Sequence, residues 1–343
     1  MPKQNPSISN RKEDHIRINL DQDVRSGLST GLENYRFIHQ ALPELDLEDI
    51  KLDLNLFGKK ISAPLFISSM TGGTERARQI NRNLALAAQK SGIPMGLGSQ
   101  RAALENAALA DTFQIRDLAP DILLFANLGA IQLNYGLTPS DCQSAVDMVK
   151  ADALILHLNP LMEAVMAEGD TRFSGLIKKI SEVCSTLEVP VVVKEVGWGI
   201  SIQAAQMLAD AGVAAIDVAG AGGTSWSEVE MHRAESKQAR QIASTFMNWG
   251  IPTTESILNI KKNHPNTTIL ASGGLKNGLD ISKTIALGAS MGGLAGPFLK
   301  AASVSADAVT AEINRIKREI QISMFGAGAG NIKSLAEIQL IKD

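Results

Sequence analysis

The chain has 343 residues, with 33 basic against 36 acidic side chains and a formal net charge of −3. That length allows one large domain or two ordinary ones. A charge so near zero argues against a general nucleic-acid binder and leaves room for a small anionic ligand held by local charge. Two cysteines, Cys142 and Cys184, lie far apart without metal-ligand spacing, which predicts buried thiols in a reducing compartment. The N-terminal stretch lacks the apolar segment of a secretory leader. No apolar run reaches the ~20 residues needed to span a bilayer, so a cytoplasmic protein without a membrane segment is the expectation.

Residues 1–62 are polar at first and then mixed, and "YRFIHQALPELDLEDIKLDLNLFGKKI" predicts a short helix and a hairpin. From residue 63 a unit repeats: a short apolar run ends in Gly, Ser or a polar group, and an amphipathic stretch follows. The runs lie at 63–70, 94–99, 123–129, 153–158, 190–196, 214–220, 268–274 and 291–296, with helical patterns at 75–91, 138–150, 172–187, 201–211 and 278–287. Nearly continuous apolar strands alternating with helices predict a parallel sheet covered by helices. Eight units fit an α/β fold of the (β/α)8 TIM-barrel kind, spanning 63–343 as one domain behind an N-terminal arm and cap. An open doubly wound sheet is the alternative; it usually shows fewer strands and one dominant glycine fingerprint. Residues 221–267 are predicted to be a two-helix insertion between strands six and seven. The segment 325–341 reads as a glycine-rich turn and a last helix.

The unusual residues cluster at the C-terminal ends of the strands, where a barrel assembles its site. The first three strands end in Ser69, Thr71, Ser99, Gln100, Arg101 and Asn127, a set of neutral hydrogen-bonding groups with one guanidinium. That set suits a polar heterocycle beside an anion. The fourth ends in His157 and Asn159, which share a strand face by alternation, with Glu163 after them. On the fifth, Lys194 points either into the barrel mouth or at the helices. A lysine against the helix layer would need an exit to water, so the inward direction is expected, for Schiff-base chemistry or to stabilise negative charge. The sixth runs into "DVAGAGGTSW", with Thr224 and Ser225 as hydroxyl donors. The last two strands end in Gly273–Gly274–Leu275–Lys276 and Ala295–Gly296, small residues at helix starts that predict a phosphate site.

In order and spacing, "RKEDHI", "SSMTGG", "GLGSQR", "ANLGA", "HLNPLMEAV", "EGDTRFSG", "VVVKEVGWG", "GAGGTSW", "ASGGLKNG" and "LAGPFLK" closely resemble the type 2 isopentenyl-diphosphate isomerases, FMN-dependent barrel enzymes. The resemblance covers the whole chain. It implies that FMN lies at the mouth, its ring against Ser69, Met70, Thr71, Ser99, Asn127 and Lys194. Its ribityl phosphate would meet Thr224, the 273–276 loop, Ala295 and Gly296. It implies a diphosphate substrate held by Arg11, Lys12, Ser99, Gln100, Arg101, His157 and Asn159, with Glu163 binding Mg²⁺. An arm that would otherwise be solvated then folds over the mouth, and Glu230 is a candidate second acid. Lys194 and His157 are the catalytic candidates, with reduced FMN as the acid–base group and NADPH as its reductant. Met162 stands where many members have glutamine; a thioether has no proton to relay. The family forms tetramers or octamers, so a homo-oligomer is implied. The rival expectations are a 2-hydroxy-acid-oxidase-like flavoenzyme, a glutamate-synthase-like protein, and a non-catalytic flavin-binding barrel.

Overall fold

The computed structural model describes residues 8–343, so the first residues of the polar N-terminal stretch lie outside the described part. Helix α1 (Ile8–Asp21) comes first, then the short strand β1 (Tyr35–Arg36) and an antiparallel hairpin of β2 (Leu54–Leu56) and β3 (Lys59–Ile61). Eight strands follow: β4 (Leu65–Ile67), β5 (Met95–Gly96), β6 (Leu124–Gly129), β7 (Ala153–Leu158), β8 (Val191–Glu195), β9 (Ala215–Asp217), β10 (Ile269–Ala271) and β11 (Met291–Leu294). Each pairs in parallel with its neighbour, and β11 pairs with β4, so the sheet closes into the expected eight-stranded barrel.

The expected helices are α2 (Glu75–Ser91), α4 (Pro139–Val149), α6 (Leu176–Thr186), α7 (Ile202–Asp210) and α11 (Gly278–Ala286), with short α3 (Arg101–Glu105) and α5 (Pro160–Val165) between. Local chemistry sets their ends. The Thr74 side chain caps α2 by accepting from the Ala77 N–H, and Gly92 stops it in the left-handed region at φ 64°. Thr138 and Asp141 form a capping box at α4, with Pro139 at the first position.

Alternation sorts the strand residues. Outward residues such as Leu65, Ile67, Leu154, Leu156 and Val193 join the helices in the main core. Inward residues Phe66, Phe125, Ala153, Ile155, Val192, Ala215, Leu270 and Met291 pack together in a second cluster, together with Leu56 and Ile61 of the hairpin. The lower half of the cylinder is therefore a filled apolar core.

Two segments differ from expectation. The 221–267 segment carries three helices, α8 (Trp226–Arg233), α9 (Lys237–Thr245) and α10 (Thr253–Asn263). The third is the barrel's own helix after β9, packed on β10 and α7; its Thr/Ser-rich start hid it among loop residues. After α12 (Gly296–Ala302), helix α13 (Ala306–Ala327) runs straight through Gly326, the first glycine of the 325–341 segment, and stops at Gly328. Short α14 (Ile332–Ala336) and strand β12 (Ile341–Lys342), paired with β1, complete the chain. Cys142 is buried as expected, whereas Cys184 is only half-buried. No helix among the described residues is long and apolar enough to cross a membrane.

Candidate active site

Above the apolar floor, the inward-facing positions of the strands turn polar. In β6 the inward series runs Phe125 then Asn127; in β7, Ile155 then His157; in β8, Val192 then Lys194; in β9, Ala215 then Asp217; after β10, Leu270 then Ser272. Register pairs Gly129 with His157, His157 with Lys194 and Lys194 with Asp217, which lays these groups in one row across the mouth. A cavity of about 960 Å³ opens above them. Lys194 thus faces inward.

Lys194 is 7% exposed. Its Nζ donates to the Glu195 carbonyl oxygen at 2.7 Å and to Ser272 Oγ at 3.3 Å, and lies 3.7 Å from Asp217 Oδ2. The Glu195 carboxylate turns outward and accepts from the N–H groups of Val196, Gly197 and Trp198 at 2.6–2.7 Å. Burial pushes this carboxyl up to about 7 against the pull of those three donors.

His157 Nδ1 lies 2.9 Å from Asn127 Oδ1. An amide oxygen can only accept, so Nδ1 carries the proton. Burial, then the nearby Lys194 and Lys12 charges, push the ring down to about 4, so it is neutral at pH 7 with the Nε2 lone pair available. Gln100 corrects the sequence expectation. It is fully buried and does not line the cavity; its Nε2 donates to the Ala145 carbonyl and its Oε1 accepts from the Asn127 N–H. With its amide committed on both sides, it braces the Asn127 strand end and turns no free polar group to the cavity.

Ser225 is buried against Ser227 and does not line the cavity; apart from it and Glu230, the other residues picked out above for a site role do, Arg11, Lys12, Arg101 and Thr224 included. Lys12 reaches down from α1 to donate to the Ser99 carbonyl at 2.8 Å and sits over the Phe113 ring. Burial and the Arg11 charge push it down to about 7. Arg101 pairs with Asp170 at 2.9 Å and Glu105 at 2.7 Å, so it shares its charge with two acids before any ligand arrives. Asn159 Nδ2 donates to Glu163 Oε1 at 2.8 Å, and the Asp170 N–H donates to Glu163 Oε2 at 2.7 Å. Burial raises Glu163 above the ordinary carboxylate range. Met162, Met166 and Trp198 pack together as an apolar wall beside this polar corner.

Glu230 does not line the cavity. It takes His15 Nε2 at 2.9 Å and Arg233 at 2.5 Å. Burial raises its carboxyl, but these two partners outweigh it and hold the group below the ordinary range. Arg233 also lies 3.5 Å from Glu168 and 4.0 Å from Asp14. This network pins α1 across the mouth, with Ile16 and Ile18 buried beneath it. The charged arm is therefore a docked helix.

Sequence reasoning missed Asp217, although it alternates with Ala215 as Lys194 does with Val192. It also missed the segment 23–30, which borders the cavity through Ser26, Ser29 and Thr30 and pairs with the glycine loop, Ser26 N–H to the Gly223 carbonyl at 2.7 Å. Neither periodicity nor a motif marks that segment; only tertiary pairing places it.

The donor set can be tested against FMN and Mg²⁺. A Cβ on Gly223 would lie 2.6 Å from the Gly274 nitrogen, and one on Gly274, at φ 79°, 2.5 Å from the Gly222 backbone. Two glycine loops therefore close backbone to backbone, as a phosphate cradle requires. Ser69 Oγ is buried without a partner at the cavity wall, in place to serve a heterocycle. Asn159 Oδ1 is likewise unpartnered beside Glu163. Among the described residues no group of three or more His, Cys, Asp or Glu could cage a metal. One carboxylate and one amide oxygen fit a Mg²⁺ that keeps waters and phosphate oxygens as its other ligands. The residues fit both groups.

Comparison with known proteins gives three findings. Residues 140–342 match the family model of the FMN-dependent dehydrogenases. The chain is 52% identical over 330 residues to an isopentenyl-diphosphate delta-isomerase of Rickettsia bellii, with 96% of each chain covered. It is 53% identical over 335 residues to one from Synechocystis sp., covering 97% of this chain and 96% of that one. Among solved structures, a mandelate oxidase variant with 4-Br-2-hydroxy-methylphenylacetate aligns at a TM-score of 0.67 and 18% identity, over 96% of this chain and 92% of that one. That last likeness concerns the fold alone.

Proposed function

The chain belongs to the flavin-dependent isopentenyl-diphosphate delta-isomerases, and from that premise we propose that it moves the double bond of isopentenyl diphosphate to give dimethylallyl diphosphate, with reduced FMN and Mg²⁺. The observation that carries the reading is the shared cavity. Lys194, the glycine cradle, Lys12, Arg101, His157 and Glu163 all line that one space. A flat cofactor and an anionic tail can then lie in contact.

The reaction adds a proton at one carbon and removes one from another, with no net redox change. When bound and reduced, FMN supplies an electron-rich ring face and an exchangeable proton. Lys194 would hold a positive charge beside that ring, stabilising its electron-rich form. Arg11, Lys12 and Arg101 hold the diphosphate, Arg by its planar fork and Lys as a point charge. A bound diphosphate draws a proton onto His157 Nε2, converting an acceptor into a donor. Glu163 and Asn159 would hold a Mg²⁺ through hard oxygens, and the ion would supply positive charge toward the diphosphate. Met162, Met166 and Trp198 exclude water beside the alkenyl tail. NADPH would serve as the reductant of the flavin, and the isomerisation itself would use up no electrons. The protein acts in isoprenoid precursor supply, in the cytoplasm and as a homo-oligomer.

The test is anaerobic incubation with FMN, NADPH, Mg²⁺ and isopentenyl diphosphate, followed by NMR of the product. Dimethylallyl diphosphate forming only after flavin reduction supports the reading. Turnover by oxidised, reductant-free enzyme, or stoichiometric loss of NADPH, rejects it.

A further inference from the structure

Asp217 is completely buried at the C-terminal end of β9, directly beside Lys194 in the strand register. Its two oxygens have different neighbours. Oδ1 accepts from the Ser272 N–H at 3.0 Å, from Ser272 Oγ at 2.8 Å and from the Ala219 N–H at 3.4 Å. Oδ2 has no hydrogen bond, and the Lys194 ammonium stands 3.7 Å away. Among the described residues it is the carboxylate within 4.0 Å of Nζ. Glu195 cannot take its place, because the Glu195 carboxylate serves three backbone donors of its own loop.

A buried ammonium needs a buried negative partner, and a buried carboxylate with an empty oxygen needs a cation. The loops at either side of Asp217 matter as well. Ser272 leads into Gly273 and Gly274, and Ala219, with φ 36°, turns β9 into the 220–224 loop. Both loops form the glycine cradle. One carboxylate thus faces the Lys194 ammonium and braces the two backbone segments of the glycine cradle.

We propose that Asp217 is a positioning residue for the cofactor: it acts through Lys194, holding the ammonium in the barrel mouth and in register with the phosphate cradle. This rests on the reading of Lys194 as the cation beside the flavin ring. Without Asp217 the ammonium loses its counter-ion and its place in the row, and the ring loses the charge beside it. Asn in its place retains an oxygen for the Ser272 and Ala219 donors, so the loops persist while the charge is gone.

The experiment compares the wild type, Asp217→Asn, Lys194→Met, the double variant and Ser272→Ala. It measures FMN dissociation constant, flavin midpoint potential and apoprotein melting temperature. Asp217→Asn is expected to shift the reduction equilibrium at least tenfold, about 30 mV for a two-electron couple, in the same sense as Lys194→Met. The double variant is expected to go no further than Lys194→Met alone, the mark of one residue acting through the other. Ser272→Ala is expected to weaken FMN severalfold without that shift in potential. A shift in Lys194→Met with none in Asp217→Asn, or additive shifts in the double variant, overturns the inference and leaves the Lys194 reading standing. No shift in Lys194→Met overturns both. A fall in melting temperature alone would mark Asp217 as merely structural and also overturns the proposal.

Discussion

At the scale of the residue, the site is set by neighbours that change what each side chain can do. Met162 lies 3.9 Å from Asn159 Nδ2 through its sulfur, next to Glu163. Sulfur accepts weakly and donates nothing. Met162→Gln would place an amide there that can bond Asn159 or the substrate. If an amide assists the proton transfers, turnover by Met162→Gln is expected to rise about tenfold, ~1.4 kcal/mol of barrier; an unchanged rate assigns those transfers elsewhere. His157 makes a pH prediction. Its folded value is near 4 against 6.5 for a free ring, so between these pH values the unfolded chain binds more protons. Stability is therefore full above pH 6.5 and is lost as pH falls toward 4. The loss is at most about 3 kcal/mol, and smaller because the ring faces an open cavity. Urea midpoints of the apoprotein measured across that range should fall less steeply in His157→Gln.

At the scale of the element, α1 and the glycine loops are the parts whose placement makes the site. α1 is fastened by His15 and Asp14 to the Glu230–Arg233 pair of α8, and Arg233 also reaches Glu168. The loop carrying Glu168 also carries Asp170, which pairs with Arg101 and caps Glu163. Releasing that clamp loosens Lys12 and the Glu163 corner together. Arg233→Met is expected to raise KM for isopentenyl diphosphate about tenfold, ~1.4 kcal/mol, with FMN affinity unchanged by fluorescence titration. A change in FMN affinity with constant KM would contradict this role for α1. The glycine loops predict the opposite pattern. Gly274→Val adds atoms where the Gly222 backbone already lies and strains a left-handed φ. Strain of about 1–3 kcal/mol is expected to weaken FMN tenfold or more while the barrel's circular dichroism stays intact.

At the scale of the whole molecule, the hairpin-filled lower half of the barrel holds the fold, and the open upper half waits on its ligand. Loops after β9, β10 and β11 and the segment 23–30 converge on the cavity without filling it. FMN at a hundred times its dissociation constant should stabilise the native state by about 2.7 kcal/mol. That corresponds to a rise in melting temperature on the order of 5 °C, read by differential scanning fluorimetry. No rise would argue against a preformed cofactor site.

The barrel itself, the strand runs and the cluster of polar groups at their ends were legible in the chain. Alternation and βα periodicity are local, and a closed parallel sheet is what eight such units can bury. The motifs likewise placed Lys194, His157, Asn159 and Glu163 at one mouth. Tertiary structure alone decided the rest. It set the contacts that hold α1 over the mouth, a placement that only the family resemblance had implied, by burying Ile16 and Ile18 and by bringing His15 to Glu230. It withdrew Gln100 into the wall, and it set Asp217 beside Lys194 from a different strand. Each of these depends on which distant backbone group or charge satisfies a buried polar atom. A local pattern records which atoms need partners; only the folded chain determines which partners they meet.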